Sequence, residues 1–331
     1  MRPSWDELAE HVHVVRLPMR VRFRGLIERE VLLLRGPAGW GEFGPFVEYD
    51  DAEAARWLAG AIESAWTGAP APVRTVVPVN ATVPAVPADQ VSAVLAGFPG
   101  CTSAKVKVGE PGQSLADDVA RVAEVRSLLG GSGRIRVDAN GAWDVAAALD
   151  ALSALSRYGL EYAEQPCASL ADLRRLRLAL ARAGVDVAVA ADESIRKAED
   201  PLRVAVFGAA DIVVLKVAPL GGVHSALRVA EQCGLPVVVS SALDTSVGIA
   251  AGVALAAALP QLPFACGLGT AALFTRDIVA DPLLPVDGAI QVARASGVTA
   301  DPRALEQLAA PRDRQRWWRA RLARCYALLG A

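Results

Sequence analysis

The chain has 331 residues, more than most single domains contain, which predicts one large domain accompanied by a smaller one. Apolar residues make up 53% of it and charged residues 21%, a composition that supports a sizeable core and excludes intrinsic disorder. With 34 basic and 36 acidic residues the formal net charge is −2, so we expect neither a nucleic-acid nor a membrane partner. The five cysteines contain no C-x-x-C pair, which favours reduced thiols in a cytoplasm over disulfides or a zinc site.

The first part of the chain predicts a small α+β domain over residues 1–75. Strands are expected at residues 12–17 and 31–35, a tight turn at 36–39, and a helix with one apolar face over 51–65. Pro70, Pro72 and Pro78 then indicate a linker into a second region.

From about residue 76, short runs rich in Val and Ile alternate with amphipathic helical segments, as in parallel sheets that are covered on both faces. Eight strands are expected, at residues 77–81, 104–108, 135–139, 160–164, 187–192, 212–217, 237–241 and 264–268. The helices between them are expected at residues 115–129, 145–158, 170–183 and 223–231. This alternation predicts an α/β fold, a modified TIM barrel of the type (β/α)7β over residues 76–284, with an open doubly wound sheet as the alternative. Residues 285–331 are expected to pack back on the N-terminal domain, so that both form a capping domain.

Charged residues end five consecutive expected strands: Lys107, Asp138, Glu164, Asp192 and Lys216. The intervals between them are 31, 26, 28 and 24 residues, each about the length of one β/α unit. In a barrel the carboxyl ends of the strands meet at one mouth, where active sites are built. We therefore expect the five side chains to lie together.

The three acids have two interpretations. Asp138, Glu164 or Asp192 alone could be a helix cap or a carboxylate paired with an arginine. Together at one mouth they would repel each other unless a cation neutralised them. Oxygen ligands without a nearby His or Cys favour Mg²⁺ over zinc.

The lysines also have two interpretations. Lys105 and Lys107 share one face of their strand, because side chains alternate with a period of two, and Lys216 ends an apolar run across the mouth. They could simply balance the charge of the acids. Alternatively, a metal and the neighbouring lysine could lower the pKa of one of them enough to make it a base. A metal that faces a lysine suits proton abstraction next to a carboxylate, because it stabilises the enediolate that forms.

At these residues the sequence resembles the enolase superfamily, and within it the muconate-lactonizing subgroup. The resemblance includes the K-x-K motif at 105–107, the three acids, Lys216, the run GWGEFGP at 39–45 and the run GLGT at 267–270. It implies that Lys107 is the catalytic acid and base, that Asp138, Glu164 and Asp192 bind Mg²⁺, and that Lys216 acts from the opposite face.

The absence of a histidine at the end of the seventh expected strand limits which branches of the superfamily the sequence resembles. The seventh expected strand ends in Ser240 and Ser241, not in the histidine of the mandelate-racemase-like branches. Lysines on both faces leave the lactonizing, dipeptide-epimerase, N-succinylamino-acid racemase and o-succinylbenzoate synthase branches. The runs at 240–248 and 267–270 favour the synthase branch of menaquinone biosynthesis, with the racemases and epimerases as alternatives. A non-catalytic barrel that binds a metal or a metabolite is an alternative of another class.

The reaction that the synthase branch implies is a syn dehydration of 2-succinyl-6-hydroxy-2,4-cyclohexadiene-1-carboxylate, so a small carboxylate is the expected partner. We expect Lys105 and Arg136, which share faces with Lys107 and Asp138, to lie near this substrate. Backbone and hydroxyl groups near the ends of the last two strands could hold its succinyl carboxylate, or serve only ordinary turn chemistry. The residues concerned are Ser240, Ser241, Gly267 and Thr270. The sequence leaves open whether the protein is a monomer or a small homo-oligomer.

Overall fold

A three-stranded antiparallel sheet begins the fold, which a computed structural model describes over residues 2–196 and 202–330. After the helix α1 (Trp5–Glu10), the strands β1 (Val12–Phe23), β2 (Leu26–Gly36) and β3 (Gly39–Phe43) pair in the order of the chain. The turn at residues 36–39 is as predicted, and Gly39 takes a φ of +141° there. The first two strands run further than predicted, because their ladder continues past an irregularity to the pair Phe23 and Leu26. The predicted helix follows as α2 (Asp51–Ile62).

Seven parallel strands form the barrel wall, each beside its neighbour in the chain. They are β5 (Ala81–Val83), β6 (Ser103–Lys107), β7 (Arg134–Asp138), β8 (Leu160–Glu164), β9 (Val189–Ala191), β10 (Ile212–Leu215) and β11 (Val237–Val239). Most of their residues are buried, as the near-continuous apolar runs predicted. The strand β4 (Val76–Pro78), which was expected to belong to the barrel, instead pairs antiparallel with β12 (Ala289–Gln291).

Helices on the outside of the barrel connect these strands. They are α3 (Val91–Leu95), α4 (Leu115–Leu129), α5 (Val145–Ser156), α6 (Leu170–Ala183), α7 (Glu193–Arg196), α8 (Arg203–Val206), α9 (Val223–Cys233) and α10 (Ser246–Ala258). The sequence did not predict α10, because its residues are apolar on every side and show no helical period. It packs between the barrel and the N-terminal sheet, so each of its faces needs to be apolar. No helix in the described part of the chain is both long and apolar enough to cross a lipid bilayer.

The barrel closes through a short extended segment, so the strand expected at 264–268 is reduced to parallel bridges at Cys266 and Gly267. Cys266 N donates to Pro78 O over 2.7 Å, and Gly267 N donates to Val239 O over 2.8 Å. Each side of the segment makes one isolated parallel bridge, since the chain turns into a 3₁₀ helix at Thr270–Leu273 directly afterwards. The segment nevertheless bonds to residues 78–80, directly before β5, and to Val239 at the end of β11, and the predicted barrel architecture is confirmed.

The last helices pack on the N-terminal sheet. After α11 (Val292–Ser296) and α12 (Pro302–Gln307), the long helix α13 (Arg312–Leu328) lies against α2 and β1. The Trp318 ring is fully buried, meets the Phe43 ring edge-on at 5.9 Å, and donates its Nε1–H to Glu30 Oε2 over 3.0 Å. We refer to residues 2–67 with α13 as the cap. The domain limits at 75/76 and 284/285 stay predictions.

We expect Trp318→Ala to destabilise the protein by about 3–5 kcal/mol, because it leaves a cavity under the cap sheet and removes the donor to Glu30. The measurement is the urea-denaturation midpoint followed by fluorescence and circular dichroism. Leu328→Ala is the control on the same helix, since Leu328 is 45% exposed, and it should change the free energy of unfolding by less than about 0.5 kcal/mol. Equal midpoints for the two variants would show that α13 is not anchored through this contact.

Candidate active site

The carboxyl ends of five neighbouring strands bring the five predicted charged residues to one mouth. Lys107, Asp138 and Glu164 are the last residues of β6, β7 and β8, and the ladders pair Lys107 with Asp138 and Asp138 with Glu164. Asp192 follows β9 and Lys216 follows β10 directly. Because β6 and β10 are the second and sixth of eight positions around the barrel, the two lysines approach the acids from opposite sides.

Each of the three acids is paired with a lysine. Lys107 Nζ lies 2.5 Å from Asp138 Oδ2, and Lys216 Nζ lies 2.5 Å from Asp192 Oδ2. Lys105 Nζ is 2.9 Å from Glu164 Oε1 and 3.6 Å from Asp138 Oδ2. The acids and lysines of these pairs are at most 12% exposed. In such a place, removal of one partner leaves a buried charge without compensation.

The charged groups at the mouth differ in the direction in which their surroundings shift their pKa values. Burial, followed by the Asp138 carboxylate, raises the pKa of Glu164 to about 7. Burial would also raise the pKa of Asp138, but the Lys107 ammonium and then Lys105 hold it well below its usual range. For Lys105, burial would lower the pKa, but the Glu164 and Asp138 carboxylates raise it above its usual range. In this arrangement Lys105 is therefore held as a cation by its acidic neighbours.

The donor chemistry of the mouth fits a hard divalent cation. Asp138, Glu164 and Asp192 offer only oxygen atoms, from three adjacent strands, and burial followed by the Asp138 carboxylate raises the pKa of Glu164. Within residues 2–196 and 202–330, however, no group of three acids, histidines or cysteines is arranged to hold a metal ion. The carboxylates are turned towards the lysines instead. Metal binding therefore requires Lys107 and Lys216 to release their partners.

Gln165 fixes the relative position of two of the acids, and sequence reasoning missed it. Its side chain is fully buried, and its Oε1 accepts from Asp192 N over 2.9 Å and from Ser194 N over 3.1 Å. Its Nε2 donates to Cys167 O over 2.9 Å. A φ of +39°, uncommon for a residue with a side chain, turns Gln165 into this position between Glu164 and the next strand. The sequence signal is a polar residue between a strand-end acid and Pro166.

Asn140 contacts the first lysine and was also missed. Its Oδ1 accepts from Lys107 Nζ over 2.6 Å, and its backbone N donates to Asp138 Oδ1 over 3.0 Å. It has a left-handed φ of +48°, which asparagine tolerates better than most residues. An asparagine two residues after a strand-end aspartate is the signal that could have identified it.

The predicted substrate residues at the seventh and eighth positions lie together beside the lysines. Ser241 Oγ lies 2.7 Å from Gly267 O, to which it donates, and 2.8 Å from Thr270 Oγ1. Ser240 packs closely against Gly267, since a Cβ at residue 267 would come within 2.5 Å of Ser240 Oγ. The residues that line this pocket are Phe23, Arg24, Thr82, Lys105, Lys107, Asp138, Asn140, Lys216, Ser240, Ser241, Ala242, Leu243, Gly267 and Thr270.

Thr82, in register with Lys105, is a further pocket residue that the sequence did not indicate. Its hydroxyl is buried and has no hydrogen-bond partner among the described residues. A buried polar group of this kind is normally satisfied, so the hydroxyl is available to a ligand.

Arg136 does not reach the pocket. Its Nε donates to Glu161 Oε2 over 2.6 Å, its Nη1 donates to Asn80 Oδ1 over 3.0 Å, and its guanidinium lies over the Tyr162 ring at 5.0 Å. Two residues along a strand correspond to a displacement of about 6.6 Å, so Arg136 points into the barrel interior one layer below Asp138. Arg136 is not among the residues that line the pocket, and its place near the substrate stays a prediction.

Known proteins share the two-domain architecture of this chain. The family model for enolase C-terminal domain-like proteins matches residues 88–306, and the one for enolase N-terminal domain-like proteins matches residues 14–65. Among solved structures, a muconate lactonizing enzyme from Pseudomonas fluorescens, complexed with muconolactone, has a TM-score of 0.77 at 23% identity, over 91% of this chain and 98% of that one. An N-succinyl Arg/Lys racemase from Bacillus cereus has a TM-score of 0.73 at 20% identity, over 91% and 97%. At these identities the likeness concerns the fold.

Curated relatives are much more similar. An o-succinylbenzoate synthase from Mycolicibacterium smegmatis is 58% identical over 99% of this chain and 98% of its own length. Proteins of the same name from Mycobacterium tuberculosis and Mycobacterium leprae are 58% and 57% identical, over 99% of this chain and 97% and 95% of their own lengths. The chain therefore belongs to the enolase superfamily and, within it, to the family of these o-succinylbenzoate synthases.

Proposed function

We propose that the protein is an o-succinylbenzoate synthase, a hydro-lyase that converts 2-succinyl-6-hydroxy-2,4-cyclohexadiene-1-carboxylate into 2-succinylbenzoate and water. The observation that carries this proposal is the placement of Lys107 and Lys216 on opposite sides of three buried carboxylates, in a chain 58% identical to proteins of that name. We further propose that it serves menaquinone biosynthesis in the cytoplasm. Its five cysteines are free thiols, in keeping with a reducing compartment.

In this proposal Asp138, Glu164 and Asp192 hold one Mg²⁺ ion. Bound there, Mg²⁺ supplies positive charge that stabilises the negative charge developing on the substrate carboxylate. The carboxylates thereby give up their pairing with Lys107 and Lys216, and both lysines become free to face the substrate. Asn140 Oδ1, 2.6 Å from Lys107 Nζ, keeps that amine at the edge of the pocket.

Lys107 moves the proton. In its neutral form the amine removes the proton α to the ring carboxylate, and the C–H electron pair enters the carboxylate as an enediolate. The pair then returns to the ring, the C–O bond breaks, and the same lysine, now an ammonium, gives its proton to the departing hydroxyl to form water. The ring becomes aromatic, and Lys107 is neutral again. One base is enough because both events occur on the same face.

Lys216 remains charged on the opposite face. Its ammonium stabilises the enediolate through charge, and the ring through a cation–π contact. Lys105, held as a cation by its acidic neighbours, adds to the positive potential for an anionic substrate. We place the succinyl carboxylate against Ser240, Ser241, Gly267 and Thr270, with the unpartnered Thr82 hydroxyl as an additional donor.

Racemisation of an N-succinylamino acid or a dipeptide is the second candidate. The same opposed lysines favour it, since exchange of a proton between two faces needs one base on each.

We expect the purified protein with Mg²⁺ to form the aromatic product from the cyclohexadiene carboxylate, followed by ultraviolet absorbance. Lys107→Ala should lower kcat by about 10³-fold or more, because no other group on that face can transfer the proton. Arg175→Ala, an exposed charge on the outer helix α6, should leave kcat unchanged. Absence of turnover by the unaltered protein would contradict the proposed function, and retained turnover by Lys107→Ala would contradict the assigned base.

Lys216→Ala distinguishes the synthase function from the racemase function. For a synthase, loss of the stabilising charge should reduce kcat by about 10²-fold without abolishing dehydration. For a racemase, the variant should exchange the α-proton of only one enantiomer of an N-succinylamino acid with D₂O, as seen by NMR. Racemisation by the unaltered protein that outpaced dehydration would favour the second candidate.

Mg²⁺ at about a hundred times its dissociation constant should raise the thermal midpoint by about 4 °C, because it binds only the folded mouth. Asp192→Asn should abolish this shift, together with turnover. Asp281→Asn is the matched control, since that carboxylate is 84% exposed and does not line the pocket. If Asp192→Asn kept the full thermal shift, the proposed metal site would be elsewhere.

A further inference from the structure

Two buried charged side chains of the cap reach across to the barrel. Arg29 on β2 is 3% exposed and Glu42 on β3 is 7% exposed. Both contact residues 240–245, which follow the seventh barrel strand and which we call the β11 loop. The mechanism above uses neither of them.

Arg29 holds the loop through its backbone. Its Nε donates to Leu243 O over 3.2 Å, and its Nη2 donates to Gly44 O in the cap itself. Its guanidinium also lies 4.3 Å from the centre of the Phe46 ring. The fork of the guanidinium thus joins one carbonyl of the barrel to one carbonyl of the cap, a geometry that lysine cannot reproduce.

Glu42 holds the end of the loop and the start of α10. Its Oε2 accepts from Thr245 N over 3.0 Å, from Gly248 N over 3.2 Å, and from the Thr245 hydroxyl. The approach depends on Gly248, because a Cβ there would come within 3.1 Å of Glu42 Cδ. A single carboxylate of the cap therefore satisfies three buried donors of the barrel.

The loop needs this support because its backbone is strained. Leu243 has a left-handed φ of +64°, a conformation that costs a residue with a side chain about 1–2 kcal/mol. The contacts from Arg29 and Glu42 fall on Leu243 and Thr245, on either side of Asp244. Strain of this size persists only where the surroundings impose it.

The strained residues form part of the pocket. Ala242 and Leu243 line it next to Ser240 and Ser241, where we place the succinyl group. Asp244, which accepts from Ala242 N over 3.0 Å, lies within the electrostatic range of Lys216. The conformation of the loop therefore determines the wall of the pocket on the side away from Lys107.

We propose that Arg29 and Glu42 are positioning residues for the reaction, which set substrate affinity by holding the β11 loop in its strained conformation. The cap would then act on the substrate through the barrel loop as well as by direct contact. The inference rests on the proposed function for the identity of the substrate, but the state of the loop can be measured without any substrate.

The test compares Glu42→Ala with the unaltered protein. Release of the loop should raise KM about tenfold and change kcat by less than about threefold, because Lys107 and the acids are untouched. This corresponds to about 1.4 kcal/mol of binding free energy. The Kd of the product 2-succinylbenzoate, measured by calorimetry, should rise by the same factor. Glu42→Gln keeps one acceptor oxygen and should restore most of the affinity.

Glu30→Ala is the matched control. Glu30 is also a cap carboxylate, with a side chain 13% exposed, but it binds Arg314 and Trp318 at the opposite side of the cap sheet. It should lower the thermal midpoint while KM and the product Kd stay unchanged. Hydrogen exchange of peptides covering 240–248 should accelerate in Glu42→Ala and not in Glu30→Ala.

Unchanged exchange in Glu42→Ala, or unchanged KM and product Kd, would overturn the inference while leaving the synthase activity in place. If the unaltered protein failed to turn over the cyclohexadiene carboxylate, the proposed function would fail, and the exchange experiment would still decide about the loop. Should Glu42→Ala not fold, Arg29→Lys replaces it, with the same readouts and the same expected direction.

Discussion

Mutual repulsion among three buried carboxylates is the constraint on which the rest of this structure depends. Asp138, Glu164 and Asp192 stand at the ends of adjacent parallel strands, where little water reaches them. Positive charge must therefore lie within a few ångströms of each. Lys105, Lys107 and Lys216 supply it in the structure, and a divalent cation would take over part of this role in the proposed enzyme. Either the lysines or a divalent cation can neutralise the carboxylates. A bound cation would therefore leave the lysines unpaired and able to act on the substrate.

The surrounding backbone holds these charges in place. Gln165 and Asn140 occupy left-handed positions directly after two of the strands, and their side chains bind neighbouring acids, amides or lysines. Both are polar residues in sparsely populated conformations at a functional site, where backbone strain is often stored. The cost of these conformations is offset by the hydrogen bonds that they make possible.

The cap and the barrel contribute different parts of the site. The barrel carries the charged groups, whereas the cap carries Arg29 and Glu42, which hold the barrel loop that forms one wall of the pocket. The cap sheet is in turn held by the C-terminal helix α13 through Trp318. The solved structures that share this fold are a lactonizing enzyme and a racemase, so the fold by itself does not specify one reaction.

The sequence by itself determined the fold class and the candidate charged residues. Strand-end charges at intervals of one β/α unit predict a common mouth, because parallel strands of a barrel can end only there. Tertiary structure decided the rest. Two-residue alternation could not show that the Arg136 side chain binds Glu161 and Asn80 and does not line the pocket. Nor could it show that Arg29 and Glu42, about 200 residues earlier in the chain, reach the β11 loop. Contacts between distant segments arise from packing, which local periodicity does not encode.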